Sequence, residues 1–239
     1  MTIDAKNLGY DELNKMIKDS ADEKFELANV LGQRYIAAGM SGKEIKITGT
    51  PGNALGAYLN GAKIIVHGNA QDAIGDTMND GAIIVHGNCG DTTGYAMRSG
   101  EIYVKGNAGY RVGIHMKSYK ELYPIIVIGG KVGDFLGEYQ AGGIIVVLGI
   151  GVEGCPVGSF CGTGMHGGEM FIRSEEAPTG LPAQVCCSEA TAEEKEQIRR
   201  YIDRFVKHFG NNTDELLKSK FWKLVPNSAN PYKQLYVNN

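Results

Sequence analysis

The sequence predicts a mainly β protein: a right-handed parallel β-helix of about seven coils, with helical extensions at its N- and C-terminal ends. Three observations predict it. Glycines recur at a fixed 19-residue interval, apolar residues keep the same interval, and 34 glycines occur with only 7 prolines. A glycine excess of this kind points to many tight corners rather than to disorder.

Residues 1–38 read as an N-terminal helical cap. Leu13, Met16 and Ile17, followed by Phe25, Leu27, Val30 and Leu31, suggest an apolar helix face. Such a segment could cover the first exposed edge of a repeat stack.

Residues 39–175 hold the repeat. Gly49, Gly68, Gly87 and Gly106 stand 19 residues apart, as do Gly56, Gly75, Gly94 and Gly113. After an insertion of five residues the pair returns as Gly130 and Gly137. Ile45, Ile64, Ile83 and Ile102 form one apolar column, continued by Ile126 and Ile145. Ile47, Val66, Val85 and Val104 form a second, two residues on and therefore on the same strand face. Leu55, Ile74 and Val112, and then Leu59, Met78, Met97 and Met116, supply two more columns. Stacking the repeats would bury these columns as ladders, with right-handed crossovers. The Asn column (Asn69, Asn88, Asn107) directly follows the first Gly. It reads as a corner ladder, because Asn bonds local backbone and tolerates left-handed geometry.

Between the two inward columns lies an outward one: Lys46, then Ile65, Ile84, Tyr103, Val127 and Val146. An apolar stripe of this extent is covered, either by the chain itself or by a partner. Residues 176–239 offer the cover as a C-terminal helix and tail. Thr191 and Glu194 form a capping box, and Ile198, Tyr201, Ile202, Phe205 and Phe209 recur at helical spacing. Gly210 ends the helix, and the tail continues as Phe221-Trp222-Lys223-Leu224-Val225-Pro226 and Pro231-Tyr232.

The formal charge of −3 gives no footprint for nucleic acid or an anionic membrane. The first residues lack the apolar region of a secretory signal, and no run approaches a membrane span. A cytoplasmic location is expected. The five cysteines are odd in number and irregularly spaced, which favours free thiols over a disulfide framework.

Candidate chemistry is sparse. Gly162-Thr163-Gly164-Met165-His166-Gly167 matches a dinucleotide fingerprint literally, but the residues after it read as a strand, and the position where an acid is needed is Cys187. His67 and His86 share a column followed by Lys105, without an evident third metal ligand. Asp72 and Asp91 stack between Asn53 and Tyr110, as repeated acids at solvated corners would. Cys155 and Cys161, and the adjacent Cys186 and Cys187, lack zinc or iron–sulfur spacing. A nucleophilic thiol beside His115 or His166 has no orienting third group in the pattern. No catalytic, cofactor-binding or metal-binding residue is assigned.

The segments Gly68–Gly81 and Gly87–Gly100, GNAQDAIGDTMNDG and GNCGDTTGYAMRSG, resemble the GXGXG domain that closes the large subunit of glutamate synthase. The stretch GDFLGEYQAGGIIVVLG and the FWKLVP tail strengthen the likeness, which covers about residues 35–235. The resemblance implies a non-catalytic structural subunit of a glutamate synthase-like oxidoreductase complex in glutamate biosynthesis and ammonia assimilation. Its partners would be glutaminase and FMN/iron–sulfur synthase subunits, with no cofactor of its own. The chain is also similar to the repeat-bearing component of formylmethanofuran dehydrogenase, which shares the GN-x-GD-x-x-G pattern. A β-helix protein binding a ligand or partner in other metabolism is the third reading.

Overall fold

A computed structural model describes residues 1–227. Its elements run β1 (Thr2–Asp4), α1 (Tyr10–Asp19), β2 (Lys24–Leu31), β3 (Glu44–Thr50), β4 (Asn60–His67), β5 (Asp80–Val85) and β6 (Glu101–Val104). There follow β7 (Ile125–Ile128), β8 (Ala141–Val147), β9 (Gly167–Arg173), β10 (Val185–Glu189), α2 (Ala192–Phe209), α3 (Thr213–Lys218) and β11 (Phe221–Pro226). Pro231 and Tyr232, read from sequence as part of the tail, lie outside the described residues.

All eleven strands belong to one sheet, in the order β1 to β9, then β11 and β10. Pairing is parallel from β1 through β9. It becomes antiparallel where β11 inserts between β9 and β10. The repeat sets the register: Ile45 faces Ile64, Ile64 faces Ile83, and Ile83 faces Ile102.

This topology corrects the expected parallel β-helix. In that reading each 19-residue repeat would close into one coil at its glycine corners. Instead, each repeat gives one strand to one continuous sheet, and the sheet ends in antiparallel pairing. The residues between strands form tight turns whose backbone alternates into the left-handed region, as at Ala54, Gly56 and Tyr58, and again at Ala73, Gly75 and Thr77. An extended strand cannot carry that alternation. The turns pair with their neighbours in both directions: the Ala54 amide donates forward to the Asp72 carbonyl at 2.9 Å, and the Gly56 amide donates back to that of Ile36 at 2.8 Å. The third and fourth apolar columns therefore sit in turns, not in strands.

The N-terminal reading is corrected too. Within residues 1–38 only α1 is an α-helix, and β1 and β2 extend the sheet edge. Phe25 and Leu27 are buried on alternate strand positions of β2, which a 3.6-residue period had absorbed. From α1, Leu13 and Ile17 enter the same core as Ile45, Leu55, Ile64 and Met78.

The other sheet face carries a second core. Ile84, Tyr103, Val127 and Val146, from the outward stripe, pack against Ile198, Tyr201, Ile202 and Phe205 of α2. The helix starts at the Thr191–Glu194 capping box and ends at Gly210, whose φ is 87°. Arg204 pairs with Glu101, which also accepts the Tyr103 hydroxyl at 2.9 Å. The covered stripe explains why these strands read as continuous apolar runs rather than alternating ones.

Candidate functional site

The polar residues of the repeat motif are built into the turn stack. Asn69 Oδ1 accepts the Asn88 amide at 2.8 Å, and Asn88 Oδ1 accepts that of Asn107 at 2.8 Å. Asn107 then accepts from the Lys131 amide at 2.9 Å, across the five-residue insertion. The acids behave alike: Asp72 accepts the Asp91 amide at 2.9 Å, and Asp91 accepts that of Tyr110 at 2.8 Å. Each side chain bonds the amide of the repeat that follows. The glycines make room for this, since a Cβ on Gly106 would strike Asn88 Oδ1.

His67 and His86 are neighbours, with ring centroids 4.8 Å apart. The end of α2 reaches them, setting Phe209 edge-on to His86 at 5.1 Å. His208 packs 5.7 Å from the Tyr103 ring. Burial holds the His86 imidazole below its ordinary pKa, with His67 and Lys105 adding repulsion. His208 is lowered by burial first, then by Lys63, His86 and Lys207. Among the described residues no group of three or more His, Cys, Asp or Glu is placed to hold a metal ion.

The five thiols are free. Burial pushes Cys89 up to about 12, and the Thr93 hydroxyl donates to its sulfur at 3.1 Å. Cys161 is likewise raised to about 12 by burial, with the Cys155 and Cys187 thiols adding to the effect. Thiols held in this way are poor nucleophiles. His115 lies between two aromatic rings, stacked on Tyr139 at 5.1 Å and edge-on to Tyr95 at 5.9 Å. His166 Nδ1 contacts the Gly164 carbonyl at 3.0 Å. The literal GxGxxG stretch runs straight into β9, so no helix N-terminus follows it.

One feature escaped the sequence reading. On the turn side, Asn60, Asn79, Arg98 and Lys117 form a column at 19-residue spacing. The Asn79, Arg98 and Lys117 amides each donate to the preceding repeat, at 2.8, 2.9 and 3.0 Å. Beyond Lys117 the five-residue insertion folds into a small antiparallel bridge between Tyr119 and Leu122. The column, this bridge and Tyr58 line an open cleft of about 620 Å³. The signal was available in the broken period, because insertions in repeat arrays map to loops on one face.

The GXGXG motif family model matches residues 24–227. An uncharacterised protein of Methanocaldococcus jannaschii is 46% identical over 251 residues, covering 99% of this chain and 96% of the relative. Ferredoxin-dependent glutamate synthase 2 of a Synechocystis species is 34% identical over 107 residues, 40% of this chain and 6% of that much longer protein. Among solved structures, a chain of the formyltransferase/hydrolase complex of Methylorubrum extorquens, determined with methylofuran, aligns with a TM-score of 0.66 at 20% identity. That likeness covers 94% of this chain and 95% of the other, and it shows a shared fold. Among the described residues no helix is long and apolar enough to cross a membrane.

Proposed function

We propose a scaffolding role for this chain, which belongs to the GXGXG motif family and is related to glutamate synthase. In this reading it is a non-catalytic member of a multi-subunit enzyme whose reacting centres are carried by other chains. The observation that carries the proposal is the use made of the motif. The Asn and Asp side chains that define it accept backbone amides of the next repeat, so the polar chemistry of the pattern holds a stack together. Fully bonded stacks of this kind are rigid surfaces for other subunits.

Two assemblies fit. In the first, the chain supports glutamate formation beside glutaminase and FMN/iron–sulfur synthase subunits, and the 34% identity to a glutamate synthase favours it. In the second, it belongs to a formyl-handling complex, as a counterpart of the repeat-bearing component of formylmethanofuran dehydrogenase. The structural likeness favours this one, and it spans far more of the chain, 94% against 40%.

Purifying the native protein from its own cells under mild conditions, with stoichiometric co-eluting chains identified by mass spectrometry, separates the two. Glutaminase and flavin/iron–sulfur chains support the first assembly. Formyltransferase, molybdenum or tungsten enzyme chains support the second. Elution of the chain alone, at the mass of a monomer, contradicts a scaffolding role.

A further inference from the structure

We propose that the cleft beside the insertion is a binding site for a small organic dianion, a phosphate monoester or a dicarboxylate with an apolar body. The site goes beyond the scaffolding role and does not depend on it.

Arg98 and Lys117 occupy successive positions of one stacked column, their backbone amides donating to the Met78 and Met97 carbonyls of the preceding repeats. Strand-like stacking sets such positions about 4.8 Å apart, which brings two cations to one ligand-sized space. Both side chains are exposed, and neither forms an ion pair or a side-chain hydrogen bond with any described residue. A few other cations do have acids, as Arg111 with Glu138 at 3.1 Å and Lys223 with Glu169 at 2.8 Å; what sets Arg98 and Lys117 apart is that both line one cleft. Two adjacent uncompensated cations repel one another, and a dianion between them removes that repulsion. The Arg fork suits a planar or tetrahedral oxyanion, while Lys adds a point charge. Asn60 and Asn79 continue the column with neutral amide groups that donate to further oxygens.

The walls are apolar. Tyr58, 58% exposed, and Tyr119, 54% exposed, offer ring faces to the cleft, and Leu122 adds an aliphatic edge at 48%. Lys120 Nζ lies 5.2 Å from the centroid of the Tyr119 ring, a further positive charge beside that wall. Acids nearby include Asp76, whose backbone carbonyl accepts the Tyr58 amide at 2.7 Å and whose Oδ1 accepts the Thr77 hydroxyl at 2.7 Å, Asp80, whose Oδ1 accepts the Gly81 amide at 2.7 Å, and Glu121, exposed on the insertion. A cleft of about 620 Å³ with a few converging polar groups lies within the usual range for small-molecule sites.

Titration calorimetry on the full-length chain tests the site, using phenyl phosphate and phthalate as probes and inorganic phosphate as a control. Saturable binding of at least one organic probe is expected. Arg98→Gln with Lys117→Gln should weaken it at least tenfold without moving the thermal midpoint, and added salt should weaken it too. Tyr119→Ala should weaken the organic probes and leave inorganic phosphate unchanged. Binding of phenyl phosphate alone identifies a phosphate ester, of phthalate alone a dicarboxylate, and of both the shared dianion chemistry. No saturable binding of either organic probe, or binding unchanged in the folded double variant, overturns the proposal.

Discussion

Gly75 illustrates how tightly single residues are constrained. Its φ is +66°, and an added Cβ would meet Ile102 Cδ1 at 2.5 Å. Both the left-handed backbone and the overpacked core oppose a side chain there. Gly75→Ala is therefore expected to lower stability by about 2 kcal/mol, read as a shift in a denaturant midpoint. The thiols differ from one another in the same local way. Cys186 is exposed, whereas Cys89 and Cys161 are buried and their thiols raised to about 12. Alkylation of the native protein should modify Cys186 first and reach Cys89 and Cys161 only on unfolding; early labelling of either buried thiol contradicts their placement. At this scale the sequence was informative. Glycine and Asn columns at a 19-residue interval announced close backbone approach and turn bonding, and both are found at Gly106 and Asn88. It could not reveal that Tyr58 and Thr77 take left-handed backbones, because nothing in those side chains requires it.

Among the elements, α2 closes the second core over the outer sheet face. Phe205 is buried between the helix and the sheet, in the cluster with Tyr103 and Val127. Phe205→Ala should cost roughly 3–5 kcal/mol by cavity formation, measurable by chemical denaturation. A cost below about 1 kcal/mol would mean that the helix is not docked as described. The end of the same helix brings a pH dependence. His86 and His208 have folded values lowered by burial, so the unfolded chain takes up protons at a higher pH than the folded chain does. Stability is then full above about pH 6.5 and falls as pH drops below it, until the folded imidazoles titrate in turn. His86→Gln with His208→Gln should flatten that slope; an unchanged slope would assign it to other groups. The helix was legible in the sequence because its capping box and period agree. The β2 segment was not, because Phe25, Leu27, Val30 and Leu31 fit helical and alternating patterns nearly equally over so short a run.

For the whole molecule, the repeat implied strand stacking but not closure. Ile45, Ile64, Ile83 and Ile102 pair as the spacing requires, yet one continuous sheet and a stack of turns replace the expected parallel β-helix. Periodicity reports which residues are equivalent; it does not say whether the backbone between them is extended or turning. The insertion after Lys117 was legible as a break in period, and its meaning as a cleft wall required the fold. One sheet face is covered by α2; the bonded Asn ladder follows the C-terminal ends of the strands, and the cleft column stands at their N-terminal ends.

In the proposed role, this chain supports an enzyme without turning over substrate itself. The most direct measurement compares a purified assembly containing the chain with the same catalytic partners prepared without it, assaying glutamine-dependent glutamate formation and formyl transfer. An intact, active assembly is expected only when the chain is present, with no turnover by the isolated chain. Glutamate synthesis or formyl transfer by the isolated chain, or an assembly equally intact and active in its absence, would contradict it.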